Sequence, residues 1–299
     1  MRRSEQGSQS TLFDMSPPTG QIINVASVPQ RSPFRYPGGK TWLVPRIRQW
    51  LASLYWKPSV FLEPFAGGAI VGLTVAFEKL AEKVVLVELD EEVAAVWMTI
   101  LSDDCEWLAE RILSFDMTVE NLRKELAHKV TSVKRIAFQT ILKNRTLHGG
   151  IMAPGSGFIK HGENGKGIKS RWYPQTIARR ISAIADIRNR IEFILGNGIQ
   201  AICSYGSSKN AAMFIDPPYT AAGKMAGTRL YKYFELDHER LFEEVSNIQG
   251  DFLLTYDNAP EIAELALRCG FDVRTLQMKN THHAKMTELL IGRNLNWLK

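Results

Sequence analysis

Residues 59–89 read SVFLEPFAGGAIVGLTVAFEKLAEKVVLVEL, and the fold class follows from this stretch. A short apolar run over 59–62 ends at Glu63 and Pro64, glycines follow at 67 and 68, and apolar residues suited to a helix fill 69–80. KVVLVEL, residues 83–89, is then a continuous apolar run that closes on an acid, the pattern of a parallel strand covered on both faces. Strand, glycine turn, helix, strand, acid makes one βαβ unit of a doubly wound, Rossmann-like α/β sheet. The apolar segment over 60–77 is not a membrane span, because Glu63, Pro64, Gly67, Gly68 and Gly72 interrupt it.

Working outward, apolar residues at helical spacing predict helices over 42–54 and 91–100. The region 99–195 reads as mainly helical with a break at 149–167. A strand at 211–215 runs into Asp216, Pro217, Pro218 and Tyr219, and another spans 251–255. After a helix at 261–267, runs at 271–278 and 287–292 read as a closing hairpin, so the sheet is expected to be mostly parallel with an antiparallel strand near the C-terminus. Residues 1–33 lack periodicity and are rich in Ser, Gln, Pro and Gly, which predicts a flexible tail.

The chain has 299 residues, 45% hydrophobic and 23% charged, an ordinary globular composition with room for a catalytic core plus one further lobe. Cys105, Cys203 and Cys269 are too few and too far apart for a disulfide framework or a zinc cluster, so no metal is expected and a reducing cytoplasm is the natural compartment. No secretory signal follows the charged N-terminus. The net charge of +6 is unevenly spread. Residues 129–195 hold 13 Lys and Arg against Glu163, Asp186 and Glu192, a balance of +10, which leaves 24 basic and 28 acidic groups, or −4, elsewhere. A basic segment with Trp172, Tyr173 and the run GSGFIKHGENGKG, too poor in acids to pair its own charges, points to a polyanion such as nucleic acid.

Three segments should converge at the carboxyl ends of the strands. FLEPFAGG, residues 61–68, is a glycine turn that would let a ligand approach the backbone, although it is neither GxGxxG nor a P-loop. Glu88, 20 residues beyond Gly68, stands where such folds place a carboxylate for ribose hydroxyls; the helix N-terminus that follows could also use an acid, as Asp90 and Glu91 do. DPPY, residues 216–219, is the most specific feature: two prolines after a buried strand end the ladder and project Asp216 and Tyr219 rigidly.

FRYPGGK (34–40), FLEPFAGG, KNRTLHGG (143–150), DPPY and TELLIGRN (287–294) stand in the order found in Dam-type DNA adenine-N6 methyltransferases, which the chain resembles over roughly residues 33–296. The resemblance implies S-adenosylmethionine as cofactor, with Tyr36, Gly39, Lys40, Glu63, Pro64, Phe65, Ala66, Gly67, Gly68, Glu88, Asp90 and Asp216 around it and Lys40 paired with its carboxylate. It also implies that Asp216, Pro217, Pro218 and Tyr219 carry catalysis on a flipped-out adenine, and that no acid in ILGNGIQAI, residues 194–202, matches the one that usually recognises the cofactor's adenine.

On this basis residues 34–98 and 196–299 form the catalytic domain and 99–195 an inserted target-recognition lobe, with Arg145, His148, Lys160, Lys166, Lys169, Arg171 and Trp172 as candidate DNA contacts. Double-stranded DNA is the expected partner and a monomer on DNA the expected state. QSTLFD, residues 9–14, resembles the bacterial sliding-clamp pentapeptide at Gln9, Thr11, Leu12 and Phe13. N4-cytosine methylation, RNA adenine methylation and a catalytically silent DNA-binding module remain alternatives, and a restriction partner is left open.

Overall fold

The computed structural model describes residues 27–36, 38–153, 155–218, 236–279 and 285–298. A 3-10 turn at Thr41–Leu43 leads into α1 (Val44–Ser53), β1 (Val60–Glu63), α2 (Ile70–Phe77), β2 (Lys83–Glu88) and α3 (Glu91–Ile100). Four helices follow, α4 (Cys105–Ser114), α5 (Val119–Ala127), α6 (Val133–Thr146) and α7 (Pro174–Ala185), the last two separated by a loop with short 3-10 turns. The chain then forms β3 (Ile191–Leu195), α8 (Gly198–Gly206), β4 (Ala211–Ile215), α9 (His238–Ser246), β5 (Asp251–Asp257), α10 (Pro260–Arg268), β6 (Asp272–Lys279) and β7 (Lys285–Gly292).

The strands make one sheet in the order β3-β2-β1-β4-β5-β7-β6. The first five pair in parallel, whereas β7 lies antiparallel between β5 and β6. Alternating side chains feed the two faces. Phe61, Val84, Leu86, Ala212, Phe214 and Leu253 join one apolar cluster; Leu62, Val85, Val87, Met213, Ile215, Phe252 and Leu254 join the other. Both faces are therefore covered, and the strands read as unbroken apolar runs for that reason. The expected doubly wound, mixed α/β sheet is what the chain builds.

Three sequence expectations change. Residues 191–195, expected within the helical lobe, form β3 and pair with β2 from Val84↔Ile191 to Glu88↔Leu195. As the edge strand it buries little beyond Ile191, so its exposure, not its mostly apolar sequence IEFIL, sets it apart from the inner strands. The region expected as a lobe also shares its core with the sheet: Phe138, Ile141 and Leu142 of α6 lie in the same cluster as Trp97 and Ile100 of α3. Finally, the end of the expected tail is packed. Val28 is buried, and Arg31 pairs with Glu78 at 3.2 Å while its guanidinium stands 4.4 Å from the centroid of the Phe77 ring. Among the described residues no helix is long and apolar enough to cross a membrane.

Candidate active site

Strand order reverses at β1, which has β2 and β3 on one side and β4 and β5 on the other. In an open α/β sheet the crevice beyond the carboxyl ends at this point is where ligands bind. Glu63 ends β1, Glu88 ends β2 and Asp216 follows β4, so the three expected segments share one edge of the sheet.

The turn after β1 is held rather than loose. The Ala66 N–H donates to the Val87 carbonyl at 2.9 Å, tying the turn to β2, and the Trp97 indole N–H donates to the Gly67 carbonyl at 3.0 Å. Gly67 has φ +46 and Ala69, the N-cap of α2, has φ +48, so two left-handed residues stand within three positions. At Ala69 this conformation costs about 1 kcal/mol, a strain held by the bonds that tie the turn to β2 and Trp97. The room left by the glycines is filled in part by protein: a Cβ at Gly67 would lie 2.6 Å from Tyr36 Cε1, and one at Gly68 would lie 2.9 Å from Tyr36 Cβ. Tyr36 therefore walls the turn. The Gly39 N–H donates to the Tyr36 carbonyl at 3.2 Å, which closes the preceding loop.

Glu88 is fastened by backbone. Its Oε1 accepts from the Leu89 and Asp90 N–H groups, both at 2.9 Å, and its Oε2 from the Gly67 N–H at 2.8 Å. A carboxylate oxygen can accept twice, so Oε2 keeps capacity for a ligand hydroxyl. Burial pushes the carboxyl up and the backbone donors pull it back. Asp90 serves as the N-cap of α3, accepting from the Glu92 N–H at 2.9 Å, which gives it a structural role beside the ligand role expected for it. In the segment expected to lack an acid, Asn197 caps α8 by accepting from the Ile199 and Gln200 N–H groups.

Asp216 sits in a buried ionic corner. Lys40, only 2% exposed, places Nζ 3.2 Å from Asp216 Oδ1 and 3.3 Å from Glu288 Oε2, and donates to the Gly38 carbonyl at 3.1 Å. The Thr255 hydroxyl donates to Asp216 Oδ1 at 2.7 Å. Glu63 accepts from the Gly72 N–H at 2.7 Å. Burial pushes the Glu63 carboxyl well above its usual range, with the nearby Asp216 charge adding to the shift. Burial likewise pushes Glu288 up to about 7, opposed by Lys40 and reinforced by Asp216. One lysine stands among three carboxyls, two of which, Glu63 and Glu288, hold their protons more readily than usual because of burial. Lys40 thus faces the DPPY acid and Glu288, where a cofactor carboxylate was expected. Pro217 is buried and Pro218 partly so; Tyr219 lies outside the described residues, as does the segment from Gln9 to Phe13.

Thr255 and Glu288 were not assigned roles from sequence. Glu288 had a signal, an acid within the apolar run of TELLIGRN; Thr255, in the strand DFLLTYD, had none.

The candidate DNA contacts divide by exposure. His148, Lys160, Lys166 and Lys169 are exposed, and Arg171 is partly exposed. Trp172 is partly buried with its ring 6.2 Å from that of Phe115, so packing accounts for it. Arg145 is a correction: it is 4% exposed and its guanidinium donates to the Pro33 carbonyl, because α6 turns that side chain into the protein. The loop that carries the exposed lysines is pinned at its base by the His148 N–H to the Gly157 carbonyl and the Ile159 N–H to the Thr146 carbonyl, both at 2.9 Å. Among the described residues no group of three or more His, Cys, Asp or Glu side chains could hold a metal.

Solved structures similar to the chain include a candidate RNA methyltransferase from Pyrococcus horikoshii, at 10% identity and TM-score 0.40, covering 90% of this chain and 92% of that one. Another is the rRNA methyltransferase aviRa of Streptomyces viridochromogenes, at 14% identity and TM-score 0.39, covering 87% of each chain. A methyltransferase from Geobacter sulfurreducens, at 11% identity and TM-score 0.36, covers 85% of this chain and 77% of that one. No curated protein matches the chain. The profile of one family does match, over residues 36–280, a span that includes the glycine turn, Glu88, the DPPY segment and Thr255. With most of its length so matched, this methyltransferase chain belongs to the family of D12 class N6 adenine-specific DNA methyltransferases.

Proposed function

We propose that the protein is a site-specific DNA adenine-N6 methyltransferase acting on an adenine flipped out of duplex DNA. Family and fold imply S-adenosylmethionine as the methyl donor. The residues suit it: a fixed glycine turn at the switch point, a walling aromatic at Tyr36, and a spare acceptor on Glu88 at the end of β2, where such folds place a ribose. Bound there, the cofactor supplies an electrophilic methyl group and needs no metal.

The observation that carries this reading is the fixed acid after β4. Thr255 and Lys40 both hold Asp216 Oδ1, and Pro217 follows at once with its carbonyl. The exocyclic amine of adenine is a poor nucleophile because its lone pair is delocalised into the ring. Hydrogen bonds from that amine to the Asp216 carboxylate and the Pro217 carbonyl localise the pair and aim it. With the cofactor bound, the nitrogen lone pair would take the methyl as the sulfur leaves with the C–S electron pair, and the displaced amine proton would pass to water. Catalysis of this kind is positioning and electrostatics. Duplex stacking hides the amine, so the base is extruded at a cost on the order of a few kcal/mol. Contacts of Lys160, Lys166, Lys169, His148 and Arg171 with phosphates are the proposed source of the compensating free energy.

Incubation with unmethylated plasmid and labelled cofactor, followed by digestion to nucleosides, tests the reading. Label on N6-methyladenine is expected; label on N4-methylcytosine, or transfer to RNA alone, would refute it. Asp216→Ala is expected to lower turnover by about 10²- to 10³-fold, more than any loss of cofactor affinity accounts for.

A further inference from the structure

In KNRTLHGG the Asn144 and Arg145 side chains face the protein interior. Asn144 is 1% exposed, and its carboxamide grips both backbone groups of Arg35: Oδ1 accepts from the Arg35 N–H at 2.9 Å, and Nδ2 donates to the Arg35 carbonyl at 3.0 Å. The same Nδ2 donates to the Gly150 carbonyl at 3.1 Å. Arg145 donates to the Pro33 carbonyl, and Arg180 of α7 to the Ser32 carbonyl at 2.9 Å. The seat is close, because a Cβ at Gly150 would lie 2.4 Å from the Arg35 carbonyl oxygen. Burial pushes the Arg145 guanidinium down to about 10, a sign of how much hydration it has lost. A buried guanidinium spent on a carbonyl of the arm is costly for stability alone and is understandable as a device that fixes the arm.

The other side of this arm is the glycine turn. Phe34 packs against Trp97 with ring centroids 5.7 Å apart, and Trp97 holds the Gly67 carbonyl. Tyr36, next after the gripped Arg35, lies on Gly67 and Gly68. One short segment therefore touches α6 and α7 on one flank and the proposed cofactor turn on the other.

We propose that Asn144 and Arg145 are positioning residues of the cofactor site: they hold residues 33–36 so that Tyr36 walls the turn at 64–68. The proposal rests on the reading that this turn holds S-adenosylmethionine. It moves Arg145 from DNA contact to cofactor binding and gives Asn144 its first role, although both residues lie in the region expected to recognise the target. An arm left free would have to be ordered at each binding event, and a pre-ordered arm removes that cost.

The test uses the full chain, calorimetric titration with S-adenosylmethionine, and fluorescence anisotropy on a mixed-sequence duplex. Asn144→Ala is expected to weaken cofactor binding by about tenfold or more, with duplex affinity within about twofold of wild type and a single cooperative melt. Asn144→Ser removes the carboxamide grip but leaves a small polar side chain at the site; its cofactor affinity is read in the same way and decides the matter if the alanine variant does not fold. A lowered melting temperature with unchanged cofactor affinity would mean a purely structural role and overturn the proposal. Weakened duplex binding with unchanged cofactor binding would overturn it too, because the pair would then serve DNA. Tyr36→Ala separates the two layers. If it weakens cofactor binding and Asn144→Ala does not, the proposal fails and the site stands; if Tyr36→Ala and Gly67→Ala both bind cofactor like wild type, the site itself is wrong.

Discussion

Glu288 shows how one side chain can tie the stability of this protein to pH. Its neighbours are Lys40, Asp216 and Asp257, and burial raises its carboxyl to about 7. In the unfolded chain the same carboxyl titrates in the ordinary range, so at intermediate pH the native state keeps a proton that the unfolded state has lost. That contribution to stability is present in acid and disappears as the pH rises through about 7. Glu63, raised in the same direction, adds to the trend. Urea denaturation of Glu288→Gln at about pH 5 and about pH 8 should therefore show a smaller drop than wild type between the two. An identical drop would mean that Glu288 is ionised at both values. At this scale the sequence was legible where chemistry is local: Asp216, the glycines and Glu88 could be placed from strand ends and turns. Roles set by distant packing could not. Asn144 and Arg145 carry the polar character of surface residues, and only the path of α6 turns them inward.

Elements depend on positions where a methyl group does not fit. Gly72 is inside α2, and a Cβ there would lie 2.5 Å from Glu63 Oε2 and 2.6 Å from Leu86 Cδ2. The helix therefore lies directly on β1 and β2, and the Gly72 N–H reaches the buried Glu63 carboxyl. Gly72→Ala should destabilise the protein by about 1–3 kcal/mol, read as a lowered denaturation midpoint with an unchanged slope. The opening βαβ unit was readable from residues 59–89 because β2 has both faces covered and says so in its composition. β3 was not, since a five-residue apolar run such as IEFIL, following the helical spacing of α7, cannot be told by periodicity from more helix. The hairpin of β6 and β7 was readable as a pair, but its order in the sheet was not: β7 lies inside β6, a fact of pairing that alternation along either strand does not encode.

For the whole molecule the charge of +6 divides into a basic segment and a mildly acidic remainder. If Lys160, Lys166 and Lys169 each neutralise one phosphate, replacing all three by alanine should flatten the dependence of log K on log salt by about 2.7 and weaken binding evenly across duplex sequences. An unchanged slope would place the duplex elsewhere. One feature of the topology bears on synthesis. Lys40 and Glu288 stand 248 residues apart in the chain yet meet in the ionic corner, and Glu288 rides on β7, which also closes the sheet against β5. A nascent chain leaving the ribosome can form the glycine turn early, but its reactive corner remains incomplete until the last strand has emerged. A methyltransferase whose ionic corner closes last is thus inert while half made, and a message truncated before β7 should yield chains with no methyl-transfer activity.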